Sequence, residues 1–275
     1  MVLGALAPPP SAIEVLTGSP FGAQFTDGGL PHFDPLGWDP DLGLDAAIDL
    51  LGWVCDRTSG GAAGQAVDRL RDAARTGPVL VGPVDGGLLT HQPWSARAAI
   101  GADHWVVVLR ADDDTVLFHD PDGFPFATLP VDAFTAAWRA ERVEFAEPFV
   151  LRSGFRRDRD VDLAAALHRS MPAARRWLGG RPADAIGRLA ERLDDGIDAK
   201  LRDHLAWFAL RVGTRRLGDA ATWLDAGPAA NIAAEQARLL GSVQYHLVND
   251  DTRAAADILR RLAPRYESLR RALRR

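Results

Sequence analysis

The stretch Gly101-Ala-Asp-His-Trp-Val-Val-Val-Leu-Arg-Ala-Asp-Asp-Asp-Thr-Val-Leu-Phe-His-Asp-Pro-Asp-Gly123 constrains this chain more than any other. It reads as a strand, a tight acidic turn and a returning strand. His104 opens the apolar run Val106-Val107-Val108-Leu109, Ala111 to Asp114 make the turn, and Thr115 to Phe118 run back. A turn centred on Asp112 and Asp113 makes facing residues sum to about 225 in number. His104 then lies opposite Asp120 or Pro121, and a three-residue loop pairs it with Asp120 on one face of the sheet. An imidazole beside a carboxylate is what a general base needs, because the carboxylate holds the tautomer and stabilises the imidazolium.

The flanking segments suggest how the hairpin is covered. Residues 1–40 are turn-rich, and Pro31, Pro35 and Pro40 argue against a helix there. Asp41 to Leu51 has the spacing of a short helix, and Gly64 to Arg75 that of an amphipathic one. Gly52 to Asp56, Gly77 to Val84 and Val143 to Val150 read as strands, and Leu129 to about Ala140 holds a helix. From Val161 the pattern is helical: 161–178, 182–194, 197–212, 214–225, 229–248 and 252–274. Gly179-Gly180, Gly196, Gly213 and Gly227-Pro228 separate these helices, and Pro264 kinks or divides the last. The expected division is an α+β domain over 1–151 and an all-helical domain over 152–275, with the boundary in the arginine-rich segment from Arg152 to Asp160.

Charge follows the same division. Residues 1–150 carry 8 basic and 21 acidic side chains, and residues 151–275 carry 24 and 16. The plain reading is that the two surfaces attract one another; the sharper one is that the basic helices receive an acidic partner such as a carrier protein. No basic run is interleaved with aromatics, so nucleic acid is not an expected partner. No apolar run approaches membrane-spanning length, and the short start Met1 to Ala7 lacks the basic flank of a signal peptide. One cysteine excludes an internal disulfide framework and permits a reducing compartment, so the expected location is cytoplasmic. Lys200 is the single lysine among 32 basic residues, which reflects base composition rather than mechanism.

Other chemistry is weaker. His119 alternates with Asp120 and should face the opposite side of the sheet from His104. Asp122 could stand in for Asp120, but it lies in a turn where a structural role is commoner. The two histidines face apart, and no metal-ligand spacing occurs, so neither a metal nor a cofactor is expected. Cys55, in the apolar run Trp53-Val54-Cys55, is expected to be buried, inert and far from His104, because catalytic thiols favour helix N-termini. The hairpin thus has a base and an orienting carboxylate but no nucleophile, and there is no Gly-x-Ser-x-Gly elbow.

Thr17-Gly-Ser-Pro-Phe-Gly22, the strand Gly77-Pro-Val-Leu-Val, Asp85, and His104-Trp-Val-Val-Val through Asp120-Pro resemble the amino-terminal domain family of butirosin biosynthesis protein H. That family is similar to the bacteriocin-processing cysteine peptidases and has a papain-like fold. Gly213-Thr-Arg-Arg-Leu-Gly-Asp-Ala-Ala-Thr-Trp-Leu224 resembles the helical domain that follows it. The resemblance implies acyl transfer in specialised metabolism, from the thioester of an acidic acyl-carrier protein through a cysteine to a small amine. His104 takes the base's place and Asp120 that of its orienter. The cysteine has no counterpart. If Met1 to Ala7 is the later part of the cysteine helix, the thiol belongs about two turns upstream of Met1. Without it, the alternative is an inactive homologue that holds a carrier or peptide; a peptidase or amidase, with water as acceptor, is a third possibility. Oligomeric state and the acyl group stay open.

Overall fold

The computed structural model describes residues 2–26 and 28–273. In chain order they form α1 (Pro10–Thr17), β1 (Gln24–Phe25), β2 (Pro31–His32), α2 (Pro40–Leu50), β3 (Trp53–Thr58), α3 (Ala63–Thr76), β4 (Val79–Asp85), β5 (Asp103–Ala111), β6 (Thr115–Asp120), β7 (Phe124–Pro130), α4 (Val131–Trp138), β8 (Leu151–Arg157), α5 (Leu163–Trp177), α6 (Pro182–Asp195), α7 (Ala199–His204), α8 (Leu210–Trp223), α9 (Pro228–Val248) and α10 (Thr252–Ala272). The fold is α+β, with a helical C-terminal region. Two compact units emerge: residues 2–7 with Gly52–Asp160, and Pro8–Leu51 with residues 161–273.

The first unit is a six-stranded antiparallel sheet in the order β3-β8-β4-β5-β6-β7. Alternation sets its faces. Val106 and Val108 of β5 and Val116 and Phe118 of β6 point to one side and are buried, while their neighbours are less so. That face packs against Ala66 and Leu70 of α3 and Phe134, Ala137 and Trp138 of α4. Trp138 is fully buried, and its indole Nε1 donates to Val150 O at 2.8 Å. Each such side chain contributes roughly 1.5–3 kcal/mol of hydrophobic stabilisation.

Two expectations for this unit change. Residues 143–150 are not a strand. Val143 N and Ala146 N donate three residues back, to Ala140 O and Val143 O. Pro148 has no N–H, and Phe149 has φ 58°, so the ladder cannot start before Leu151. Most of the arginine-rich segment expected to hold the boundary belongs to β8, which pairs with β3 and β4 inside the sheet. The boundary expected at 151/152 therefore falls within a strand.

The second unit gathers the remaining helices, and it includes one that the prolines seemed to forbid. α1 and α2 each begin on a proline, Pro10 and Pro40, at positions where the missing N–H costs nothing. Asp39 caps α2 by accepting from Leu42 N at 2.8 Å, and Asp162, Asp198 and Asp251 cap α5, α7 and α10 likewise. The helix running into Thr17-Gly18 thus starts at Pro10, inside the chain. Gly4–Leu6 forms only a 3₁₀ turn, so residues 2–7 of the stretch from Met1 to Ala7 are not the later part of that helix, and Met1 lies outside the described residues. A partly buried ion cluster ties α1 to α8: Arg216 reaches Glu14 Oε1 and Asp34 Oδ2, each at 2.9 Å.

Gly213 does not separate two helices. Through a π-helical turn, Leu205–Ala209, α7 runs on into α8, with Gly213 inside it. A Cβ there would lie 2.6 Å from Phe33 Cβ and 2.9 Å from Leu240 Cδ2. The glycine is therefore a close-packing position. Pro264 likewise lies within α10 without dividing it. Gly213→Ala should gain helix propensity yet lose about 1–3 kcal/mol of stability through overpacking, measured by chemical denaturation.

Candidate functional site

The sheet brings His104 and Asp120 together. β5 pairs with β6 as Ala111 with Val116 and Arg110 with Leu117; after a bulge come Val108 with Phe118 and Val107 with His119. At that offset the residue facing Asp120 is Val106, two positions from His104. The expected direct pairing is thus replaced by a diagonal one on the same face. His104 Nε2 lies 2.8 Å from Asp120 Oδ1. On its other flank β4 pairs Val84 with His104 past a bulge.

Asp120 is the hub. Its side chain is fully buried. Oδ1 takes His104 Nε2 and the N–H of Asp122, at 2.8 Å each. Oδ2 takes His91 Nε2 and Gln92 Nε2, also at 2.8 Å each. Burial alone would raise this carboxyl's pKa. The hydrogen bond and charge of His104, with the Asp122 N–H and Gln92, outweigh it and hold the carboxyl far below the usual carboxylate range. For His104, burial pulls the pKa down. The hydrogen bond and charge of Asp120, with the charges of Asp122 and Asp103, win, and its pKa lies above the usual imidazole value.

An ionised carboxylate only accepts, so both histidines present Nε2–H to it. In neutral His104 the basic nitrogen is then Nδ1. The His104 side chain remains 17% exposed, which leaves that nitrogen a route to solvent.

His91 and Gln92 are site residues that the sequence pattern does not reveal. They lie in the connection from β4 to β5, a long segment whose length was the one available signal. A second buried aspartate closes its two ends: Asp85 Oδ1 accepts from Gly87 N at 3.0 Å and Ile100 N at 3.2 Å, and Oδ2 from Gly101 N at 2.9 Å. The His91 ring packs edge-on against Phe118 and Phe124, with centroids at 5.0 and 5.4 Å.

The other candidates separate as expected or move. His119 faces away, and its Nδ1 accepts from Phe126 N at 3.1 Å. Asp122 is exposed and contributes its backbone N–H and its charge. His104, Asp120 and Asp122 each offer a ligand atom within 4.8 Å of one another, a set that could hold a metal ion. Its closest pair, His104 Nε2 and Asp120 Oδ1, is already joined by a hydrogen bond, which favours reading the set as an anchored base. Cys55 is half-buried rather than buried and sits at a bulge in β3. β8 and β4 lie between β3 and β5, so the thiol is about 14 Å from the His104 strand.

These features define an α+β protein with a buried, carboxylate-anchored histidine on an antiparallel sheet. Residues 172–274 match the family described as the YobF C-terminal domain. Over 281 residues the chain is 27% identical to the uncharacterized protein YobF of Bacillus subtilis (strain 168), which covers 95% of this chain and 88% of that protein. No helix among the described residues is long and apolar enough to cross a membrane.

Two predictions follow from the geometry. The depressed Asp120 pKa contributes stability above about pH 4, lost as the pH falls; the raised His104 pKa contributes it below about pH 6.5, lost as the pH climbs through the folded value. The destabilisation caused by Asp120→Asn, measured by denaturation across pH, should therefore peak between about pH 4 and 6.5. His91→Phe keeps the ring contacts but removes one donor to Oδ2. It should cost about 1–3 kcal/mol and alter the ring nitrogen shifts of His104 by NMR.

Proposed function

We propose that His104 and Asp120 are the base and its orienter in a cysteine-peptidase-like acyl transfer. An acyl group leaves a carrier-protein thioester and passes to a small amine. The supporting observation is the four-donor clamp on Asp120, which presents His104 with Nδ1 as its basic nitrogen. Nδ1 takes the proton of the attacking thiol, and the thiolate adds to the thioester carbonyl. The carrier thiol leaves with the proton returned by the imidazolium. The amine then attacks the acyl-enzyme, gives its proton to Nδ1, and the enzyme thiol is released reprotonated. Asp120 stabilises the imidazolium without taking the proton. Water in place of the amine gives the peptidase or amidase variant. The helices of residues 161–275, with 20 basic against 14 acidic residues, suit an acidic carrier.

The position of Cys55 favours a second reading, a non-catalytic homologue that binds a carrier or peptide. At about 14 Å from β5, this thiol is too distant to give its proton to His104 directly. The helix that runs into Thr17-Gly18 begins at Pro10 and holds no cysteine, so the acyl-transfer reading requires a thiol from outside both that helix and these 275 residues.

The test compares this chain with one extended upstream in the same reading frame. Each is incubated with an acyl-thioester, and covalent loading is followed by mass spectrometry. Acyl transfer predicts loading of the extended form alone, slowed about 10²–10⁴-fold by His104→Ala. Carrier binding without loading in either form supports the second reading. Loading on Cys55 overturns the assignment of the site.

A further inference from the structure

The helix pair α9 and α10 carries chemistry that the His104 site does not use. α10 turns back along α9 after residues 249–251, and Glu235 of α9 meets Arg265 of α10 at 2.9 Å. Between the helices lies an open groove of about 440 Å³, lined by Arg238, Ser242 and His246 from α9 and Arg261 from α10, over Leu239 and Ile258.

Its charges are unbalanced. Along α10, Arg260 pairs with Asp194 and Asp257, Arg265 with Glu235, and Arg270 and Arg271 with Glu267. Arg238 and Arg261 have no acidic partner among the described residues, although they come from two helices to line one groove. The groove's own acid, Glu235, is engaged by Arg265. His246 faces Asp251 through Nδ1 at 3.1 Å, and Ser242 donates to Leu239 O at 2.7 Å. Two like charges facing one space repel each other unless an anion lies between them.

We propose that this groove binds the phosphate group of a phosphomonoester, held between the Arg238 and Arg261 guanidiniums. Each guanidinium is a planar fork of N–H donors matched to phosphate or carboxylate oxygens. A carboxylate satisfies one fork, whereas a phosphate has three terminal oxygens to share between two. Leu239 and Ile258 give the floor an apolar surface for the organic part of the ligand. The site lies within the segment that matches the YobF C-terminal domain and does not depend on the role of His104.

The test titrates the full ¹⁵N-labelled chain with inorganic phosphate, then with phenyl phosphate and with sodium benzoate, at constant ionic strength. Backbone shifts should saturate at residues of the groove in the millimolar range, more tightly for phenyl phosphate than for inorganic phosphate, and weakly for benzoate. Arg238→Gln and Arg261→Gln should each weaken phenyl phosphate binding about 10-fold or more. Both positions are exposed, so circular dichroism should report an unchanged fold. Arg253→Gln, an unpaired arginine outside the groove, should leave binding intact. Absence of saturation, or equal weakening by Arg253→Gln, overturns the proposal, because attraction by net charge alone then accounts for the shifts. Benzoate binding as tight as phenyl phosphate overturns the assignment to phosphate.

Discussion

The buried carboxylate of Asp120 is the constraint around which the sheet unit is built. An unpaired charge in such a place would cost several kcal/mol. Four N–H groups meet it, from a strand neighbour, a turn and two residues of the long β4–β5 connection. Removing water and supplying fixed donors keeps the group ionised where burial alone would neutralise it. The same arrangement fixes which nitrogen of His104 is left to act.

This clamp joins parts of the chain that secondary structure leaves apart. The β4–β5 connection makes no sheet ladder of its own. Asp85 gathers its ends through three backbone donors, and Asp120 gathers its middle through His91 and Gln92. Two buried aspartates thus shape the segment beside the base, and the orientation of His104 and the course of the loop are set by shared hydrogen bonds. In the helical unit Arg216 plays the inverse part, a cation satisfied by Glu14 and Asp34. Both clusters follow the rule that buried charges need partners of good geometry.

The two helices that end the chain show the contrast. Most arginines there are neutralised by acids three or four residues away or on a neighbouring helix. Pairs of that kind contribute little stability each, but they mark surface whose charge is already balanced. The groove between α9 and α10 stands out because its two arginines are not balanced in this way.

Strand alternation placed His119 and Asp120 on opposite faces, because a period of two separates neighbours; which of the two joins His104 depends on the register, which a one-residue slip reverses. Carried straight on from the turn, the ladder would set Asp120 opposite Val107; the bulge at Leu109 sets it opposite Val106 instead, on the face of His104. The α+β pattern and most helices were legible, since amphipathic spacing and aspartate caps are local. What was not local was not legible. His91 and Gln92 reach Asp120 through a loop that has no period. Val143 to Val150 has strand composition but is folded by turns. Gly213 looks like a helix end, and only the approach of Phe33 and Leu240 explains it inside a helix. The sequence alone determined which residues of one strand or helix could share a face, because that follows from backbone period. The tertiary structure decided which distant segments complete the site, because hydrogen bonds to a buried charge depend on positions in space that no local pattern encodes.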